Sequence, residues 1–309
     1  MAIGIDPMVD FAAKRLLGSP EHSAITIHFL NAVLHYEDPI VEVTILNPIS
    51  LKDYDADKLS VLDIKAVDGR GRRFNIEVQT SRPPNLPERL TYYAARQLIE
   101  QLGEGDDYSD LNPSIGVCVL DAVMFPGGPS PRHAFGLRSA EGLVLTDRLQ
   151  VHVLELHKYR VPGDDAVVTD PVEQWMDFFR TAAERTPEEL AGRLPDPVFG
   201  EATGVLEMIA RTPEERQRYE DRLKAERDER ARKKAAIAEG LEQGLEQGLE
   251  QGLEQGLERG VALGQAKLVA TLQQLLDEPE QSSDELVALG MDRLLEMEAD
   301  LKRRLRERG

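Results

Sequence analysis

A single cysteine, Cys118, serves all 309 residues. That excludes an internal disulfide and a multi-cysteine zinc site. Cys118 lies in the apolar run Ile115-Gly116-Val117-Cys118-Val119-Leu120, so it reads as a small core side chain rather than a nucleophile. No apolar stretch approaches the length needed to span a bilayer, and no membrane contact is expected. The first residues lack a basic patch followed by an apolar segment, so no secretory signal is expected and the cytoplasm is the indicated compartment. Positive charge is also scarce. Lys and Arg number 37 against 56 Asp and Glu, a net charge of −19. Phosphate binding normally shows a basic surplus, which argues against a nucleic-acid partner unless the bases gather in a local groove that the sum conceals. No Gly-x-Gly-x-x-Gly follows the first strand and no Walker-type loop occurs, which removes Rossmann and P-loop nucleotide sites from consideration.

What is present is an alternation of helical and strand-like segments, over a length that exceeds one ordinary core. Residues 8–36 have a mostly apolar helical face, broken near Gly18-Ser19-Pro20. Strands are expected at 41–46, 61–66, 74–80, 114–123, 132–137 and 149–156. Helices are expected at 88–101 and 171–183, the latter with Trp175, Phe178 and Phe179 as its core face. This order predicts an α/β sheet with helices on its faces. Four segments are expected: a globular domain over 1–185, a charged helical connector over 186–239, a Gly-Leu-Glu-Gln repeat over 240–264, and a small helical tail module over 265–309.

The chemistry concentrates in one predicted hairpin. Leu62-Asp63-Ile64-Lys65 and Asn75-Ile76-Glu77-Val78-Gln79 flank a turn at Gly69 to Gly71. Folding it brings Asp63 opposite Glu77, give or take one residue, and Gln79 shares the face of Glu77 because side chains two apart in a strand point the same way. Two acids and a polar orienting group suit a divalent cation and a water beside a phosphodiester. Asp63 and Glu77 would be ligands and the Val78 main-chain carbonyl a third. A glutamine cannot act as a general base, so Gln79 would orient the water or touch the scissile phosphate. On spacing alone, the blander reading, an exposed hairpin with alternating polar residues, is the better supported one.

Around this hairpin, Arg70, Arg72, Arg73 and Arg82 form either a phosphate-facing patch or a solvated tip. Arg89, Tyr92, Tyr93 and Arg96 share one helix whose aromatic and arginine face suits contact with a DNA backbone or stacking on bases, with core packing of one tyrosine as the equal alternative. Asp10 and Lys14, one helical turn apart, read as a supporting acid and a phosphate contact, or as a plain surface ion pair.

These residues resemble the PD-(D/E)XK nuclease superfamily, and within it the bacterial recombination-promoting nuclease (Rpn) group, often described as PD-(D/E)XK nuclease family transposases. The likeness runs from residue 8 to about 180. It is carried in order by Asp10-Phe11-Ala12-Ala13-Lys14, Phe29-Leu30-Asn31-Ala32-Val33-Leu34, Leu62-Asp63-Ile64 and Asn75-Ile76-Glu77-Val78-Gln79. It continues through Glu88-Arg89-Leu90-Thr91-Tyr92-Tyr93, Gly105-Asp106-Asp107-Tyr108, Leu154-Glu155-Leu156 and Trp175. The resemblance implies a restriction-endonuclease-like core with a helical C-terminal extension. It also implies Mg²⁺-dependent DNA cleavage, with Mn²⁺ as an alternative, and a link to recombination or mobile elements. By position Asp63 is the first acid and Glu77 the second. Gln79 stands where the superfamily most often has lysine, and Leu62 replaces the proline of its name. A neutral amide stabilises developing phosphate charge less than a cation does. A catalytically weak nuclease fold acting as a binding or oligomerisation module is the alternative.

The repeat places Leu241, Leu245, Leu249, Leu253 and Leu257 in a row that drifts by about 40° per step on a helix of 3.6 residues per turn. Each glycine costs about 1 kcal/mol of helix propensity relative to alanine. The segment reads as a flexible linker or as a helix through which copies of the chain assemble.

Overall fold

A computed structural model describes residues 1–47, 63–279 and 281–308. Val61 and Leu62, expected in the first hairpin arm, lie outside the described residues. The chain divides into two compact units, Met1–Arg227 and Asp228–Gly309.

Among the described residues of the first unit, six strands form one mixed sheet. They are β1 (Val43–Ile45), β2 (Asp63–Asp68), β3 (Arg73–Gln79), β4 (Ser114–Leu120), β5 (Arg132–Arg138) and β6 (Val144–Glu155), in the order β1-β2-β3-β4-β6-β5. β1 to β3 are antiparallel, β3, β4 and β6 run parallel, and β5 returns antiparallel to β6. The helices are α1 (Asp10–Leu17), α2 (Ser23–Leu34), α3 (Leu86–Ile99), α4 (Pro171–Thr181), α5 (Pro187–Arg193), α6 (Pro197–Arg211) and α7 (Pro213–Leu275), whose opening turns belong to this unit.

The two-residue period of the strands divides their side chains between two cores. Phe74, Ile76, Ile115, Val117 and Val119 join a large core with α1, α2, α4 and α6, in which the Trp175 and Phe199 rings pack tilted, 4.8 Å between centroids. Cys118 and Leu120 face the other way, against Leu86 and Leu90 of α3. Both cores bury the apolar faces of their helices, which fixes the α/β layering. The shift to charged composition near residue 185 is not where packing stops. Leu190, Phe199, Leu206 and Ile209 are buried in the large core, because α5 and α6 keep one apolar stripe beneath a charged outer face.

Two local devices position the hairpin. At its tip Asp68 accepts from the main-chain N–H groups of Arg70 and Arg72 and pairs with the Arg72 guanidinium at 2.5 Å. Gly71 there has φ +79°, a conformation that disfavours any other residue. At the open end Asn47 imitates a strand partner. Its amide donates to the Asp63 carbonyl at 2.9 Å, and its oxygen accepts from the Lys65 N–H at 2.7 Å. Close approach then brings α1 to β2: a Cβ on Gly18 would lie 3.2 Å from Ile64 Cγ1.

In the second unit the repeat is helical throughout, inside α7. Ala266, Val269, Leu272 and Leu276 pack against Leu286 of α8 (Ser283–Ala288) and against Leu294 and Leu301 of α9 (Met291–Arg308). α7 ends where Asp277 turns to φ +58°, just before Pro279, and a Ser282–Glu285 capping box starts α8.

Candidate active site

Asp63 pairs directly with Glu77 across the antiparallel ladder. Residues opposite one another in such a pair project to the same face, so the two carboxyl groups share the α3 side of the sheet with Gln79. All three are buried, Glu77 to 2% exposure. Gln79 Nε2 donates to Glu77 Oε1 at 2.9 Å, and Arg89 Nη2 donates to the same oxygen. Glu77 Oε2 is buried with no hydrogen-bond partner. Burial pushes the Glu77 carboxyl up from its ordinary value. Arg89 opposes that shift and the Asp63 charge adds to it. Val78 turns its side chain to the large core, so only its main chain is available on this side.

Asp10 and Lys14 are not a surface pair. Lys14 Nζ lies 3.1 Å from both Asp10 oxygens, with side-chain exposures of 6% and 11%. Burial pushes the Asp10 carboxyl up. Lys14 and Arg222 oppose this, and the charge of Asp63 contributes in the same direction as burial. Asp63 therefore acts electrostatically on both Asp10 and Glu77, and the three acids form one electrostatic group. Two residues that sequence reasoning missed complete this edge. Arg222 Nε stands 4.0 Å from Asp10 Oδ2, and the Asp10 N–H donates to Glu226 at 3.3 Å. Both come from the start of α7, in a charge-dense run with no local signal to distinguish them from solvated neighbours.

A scan against family models matches PD-(D/E)XK nuclease family transposase over residues 7–236. The chain belongs to that family. Neither a curated protein nor a solved structure matches it. Membership of the PD-(D/E)XK nuclease family transposases supports a nuclease- or transposase-related role, and the six-stranded mixed sheet with a helical C-terminal part accords with an α/β PD-(D/E)XK core. The match ends before the repeat and takes in Arg222 and Glu226.

The other candidate residues of this PD-(D/E)XK chain lie at varied distances from the acids. Arg89 sits on the first turn of α3, beside the site. Tyr92 is 59% exposed on the same helix and meets Tyr93 edge-on at 5.6 Å, and Arg96 is exposed and pairs with Glu100 at 2.6 Å. Arg73 shares the Glu77 face of β3 but lies about 13 Å along the strand at 3.3 Å per residue. The phosphate-facing alternative fails for Arg72, whereas Arg70 is exposed in a surface ion pair. Arg70 pairs with Asp38 at 2.7 Å, and Arg72 is buried between Asp68 and the Tyr36 ring. Arg82, like Arg70, is exposed.

Glu155 stands apart from the acids. It is fully buried and accepts from the Met124 and Phe125 N–H groups, from His133 at 2.7 Å and from Lys158 at 2.5 Å. It pins the loop after β4. Cys118 is fully buried, and burial, with the Glu77 charge behind it, pushes its thiol up and away from reactivity.

Among the described residues no cluster of three or more His, Cys, Asp or Glu could hold a metal ion. Two carboxylates are nonetheless enough for Mg²⁺, which keeps several waters. The unpartnered Glu77 Oε2, buried across the ladder from Asp63, is the acceptor such a cation would satisfy.

Proposed function

We propose that this chain is a Mg²⁺-dependent endodeoxyribonuclease acting on DNA in the cytoplasm, in recombination or the movement of mobile elements. The observation that carries the reading is the direct pairing of Asp63 with Glu77, one of whose buried oxygens lacks a donor. Asp63 and Glu77 hold the cation, Mg²⁺ or in its place Mn²⁺, with the Val78 carbonyl as third protein ligand. When bound, that cation activates water and offsets phosphate charge. Gln79, held by its bond to Glu77, orients the attacking water or contacts the scissile phosphate. Asp10 supports the acid pair from α1. Lys14 and Arg222 supply the positive charge that Gln79 lacks. Arg89, Tyr92 and Arg96 meet the DNA backbone or bases along α3, and Arg73 extends that surface.

Purified protein should nick duplex DNA when Mg²⁺ is added, and Asp63→Ala should abolish nicking while its circular dichroism spectrum stays unchanged. Equal cutting by the two proteins would remove Asp63 from the chemistry.

A second proposal rests on a separate observation. Leu241, Leu245, Leu249, Leu253 and Leu257 are 65–74% exposed along α7. We propose that copies of the chain associate through residues 240–264. On a helix the glycine and leucine rows wind together round the rod, so a second copy coiling along them would meet exposed leucines and accessible backbone in turn. Deleting 240–264 should reduce the mass measured in solution to that of one chain. A mass that falls only by the deleted residues would refute this role.

A further inference from the structure

Glu77 and Arg89 form an incompletely satisfied pair. An arginine and a carboxylate that meet fully share two parallel hydrogen bonds. Here Arg89 reaches Glu77 through Nη2 alone. Arg89 Nε and Glu77 Oε2 are both buried without a partner. Glu77 Oε1 is meanwhile used twice, by Arg89 and by Gln79. One oxygen of the carboxylate is crowded and the other is vacant.

The two partners also differ in their freedom to move. The Glu77 side chain is 2% exposed and is fixed in the central strand β3, whereas the Arg89 side chain is 32% exposed on the first turn of α3. A buried carboxylate requires a counter-charge. Arg89 supplies one and has a route to solvent. Tyr92, three residues further along α3, is exposed on the same helix.

We propose that Arg89 is the counter-ion of Glu77 in the cation-free protein, and that a divalent cation binding at Asp63 and Glu77 displaces it. The displaced guanidinium swings to the exposed side of α3, where it meets a nucleic-acid phosphate. Arg89 thus acts as a positioning residue that couples cation loading to nucleic-acid engagement: while it neutralises Glu77 it is withheld from phosphate. Linkage makes the coupling reciprocal, so nucleic acid that captures Arg89 tightens cation binding. This rests on the reading of Asp63 and Glu77 as a cation site.

The test uses Mn²⁺ and the full-length chain, with neither DNA nor cleavage as the readout. Free Mn²⁺ is followed by its electron paramagnetic resonance signal, and stability by thermal melting. Arg89→Met removes the competitor and should bind Mn²⁺ about tenfold more tightly than wild type, or better, since one positive charge beside the site is gone. It should also melt below wild type without Mn²⁺ and gain more on its addition. Arg89→Lys keeps the charge and should bind like wild type. Should Arg89→Met fold poorly, Arg89→Gln offers a neutral donor and carries the same expectation. Affinity in the neutral variants equal to or weaker than wild type overturns the counter-ion role, provided that Glu77→Gln abolishes binding. If Asp63→Asn and Glu77→Gln both bind Mn²⁺ as wild type does, the cation lies elsewhere, and the proposed site fails with it.

Discussion

Replacing Glu77 by glutamine should make the cation-free protein more stable and useless as a nuclease. The carboxylate is almost fully buried, and burial outweighs Arg89 in setting its protonation. The folded chain therefore carries a charge it would rather not carry. Glutamine keeps the shape and still offers one oxygen to Gln79 and Arg89. Its new amide nitrogen lies across the ladder from Asp63, an acceptor. Arg89, one-third exposed at its side chain, can turn to water once Glu77 is neutral. Relief of the buried charge is worth about 1–2 kcal/mol, the lower part of the gain found when buried ion pairs give way to neutral groups. For a unit of this size each kcal/mol moves the melting temperature by about 2–4 °C, so the variant should melt about 2–8 °C above wild type in a chelating buffer. Added Mg²⁺ should reverse the ranking. At a hundred times its dissociation constant a ligand stabilises by about 2.7 kcal/mol, and only wild type can collect it. Differential scanning fluorimetry with and without Mg²⁺ reads both halves. A variant that melts lower than wild type without cation, or gains as much with it, would refute the argument.

Three further outcomes follow from the same structure. Burial raises the Glu77 and Asp10 carboxyls above their ordinary 4.5 and 3.8, so between those values and the raised ones the folded chain holds more protons than the unfolded one. Cation-free stability contributed by these groups therefore falls as pH rises through that window; the stability advantage of Glu77→Gln should shrink on acidification through it, and Mn²⁺ affinity should weaken in parallel, both measurable by urea melts and Mn²⁺ titration across pH. Arg193→Met should cost about 3–5 kcal/mol in urea denaturation, because Asp177 is fully buried and pairs with Arg193 at 2.5 and 2.8 Å. Gly18→Val should cost about 1–3 kcal/mol in urea denaturation, because its Cβ would lie 2.9 Å from the Lys14 carbonyl and 3.2 Å from Ile64 Cγ1, and it should depress nicking by pushing the end of α1 away from β2.

Much of the acid site is legible locally. Alternation in Asn75-Ile76-Glu77-Val78-Gln79 and the glycines of the turn dictate which residues share a face, and the observed register has Asp63 opposite Glu77. The core face of α4 is equally plain from the spacing of Trp175, Phe178 and Phe179, all buried. What stays hidden is set by contacts distant in sequence. Asn47 anchors β2 from sixteen residues upstream, and Arg222 and Glu226 reach Asp10 from more than two hundred residues away. Arg72 looks like a phosphate ligand until Asp68 and the Tyr36 ring are seen to bury it. Residues 186–239 read as a charged helical connector because the dense charge of 213–238 masks a narrow apolar stripe in its first part. Phe199 and Leu206 belong to the large core all the same.

The loop clamp built around Asp68 has a bearing well beyond its own neighbourhood. A slip of a single position between β2 and β3 would turn every side chain of one strand to the wrong side, parting the acids. Alignment of the acids is thus set in part about 16 Å away, five residues down the ribbon, by one aspartate and a glycine remote from them, and held at the near end by Asn47. Damage there would silence the protein from a distance, leaving every presumed ligand intact in the gene.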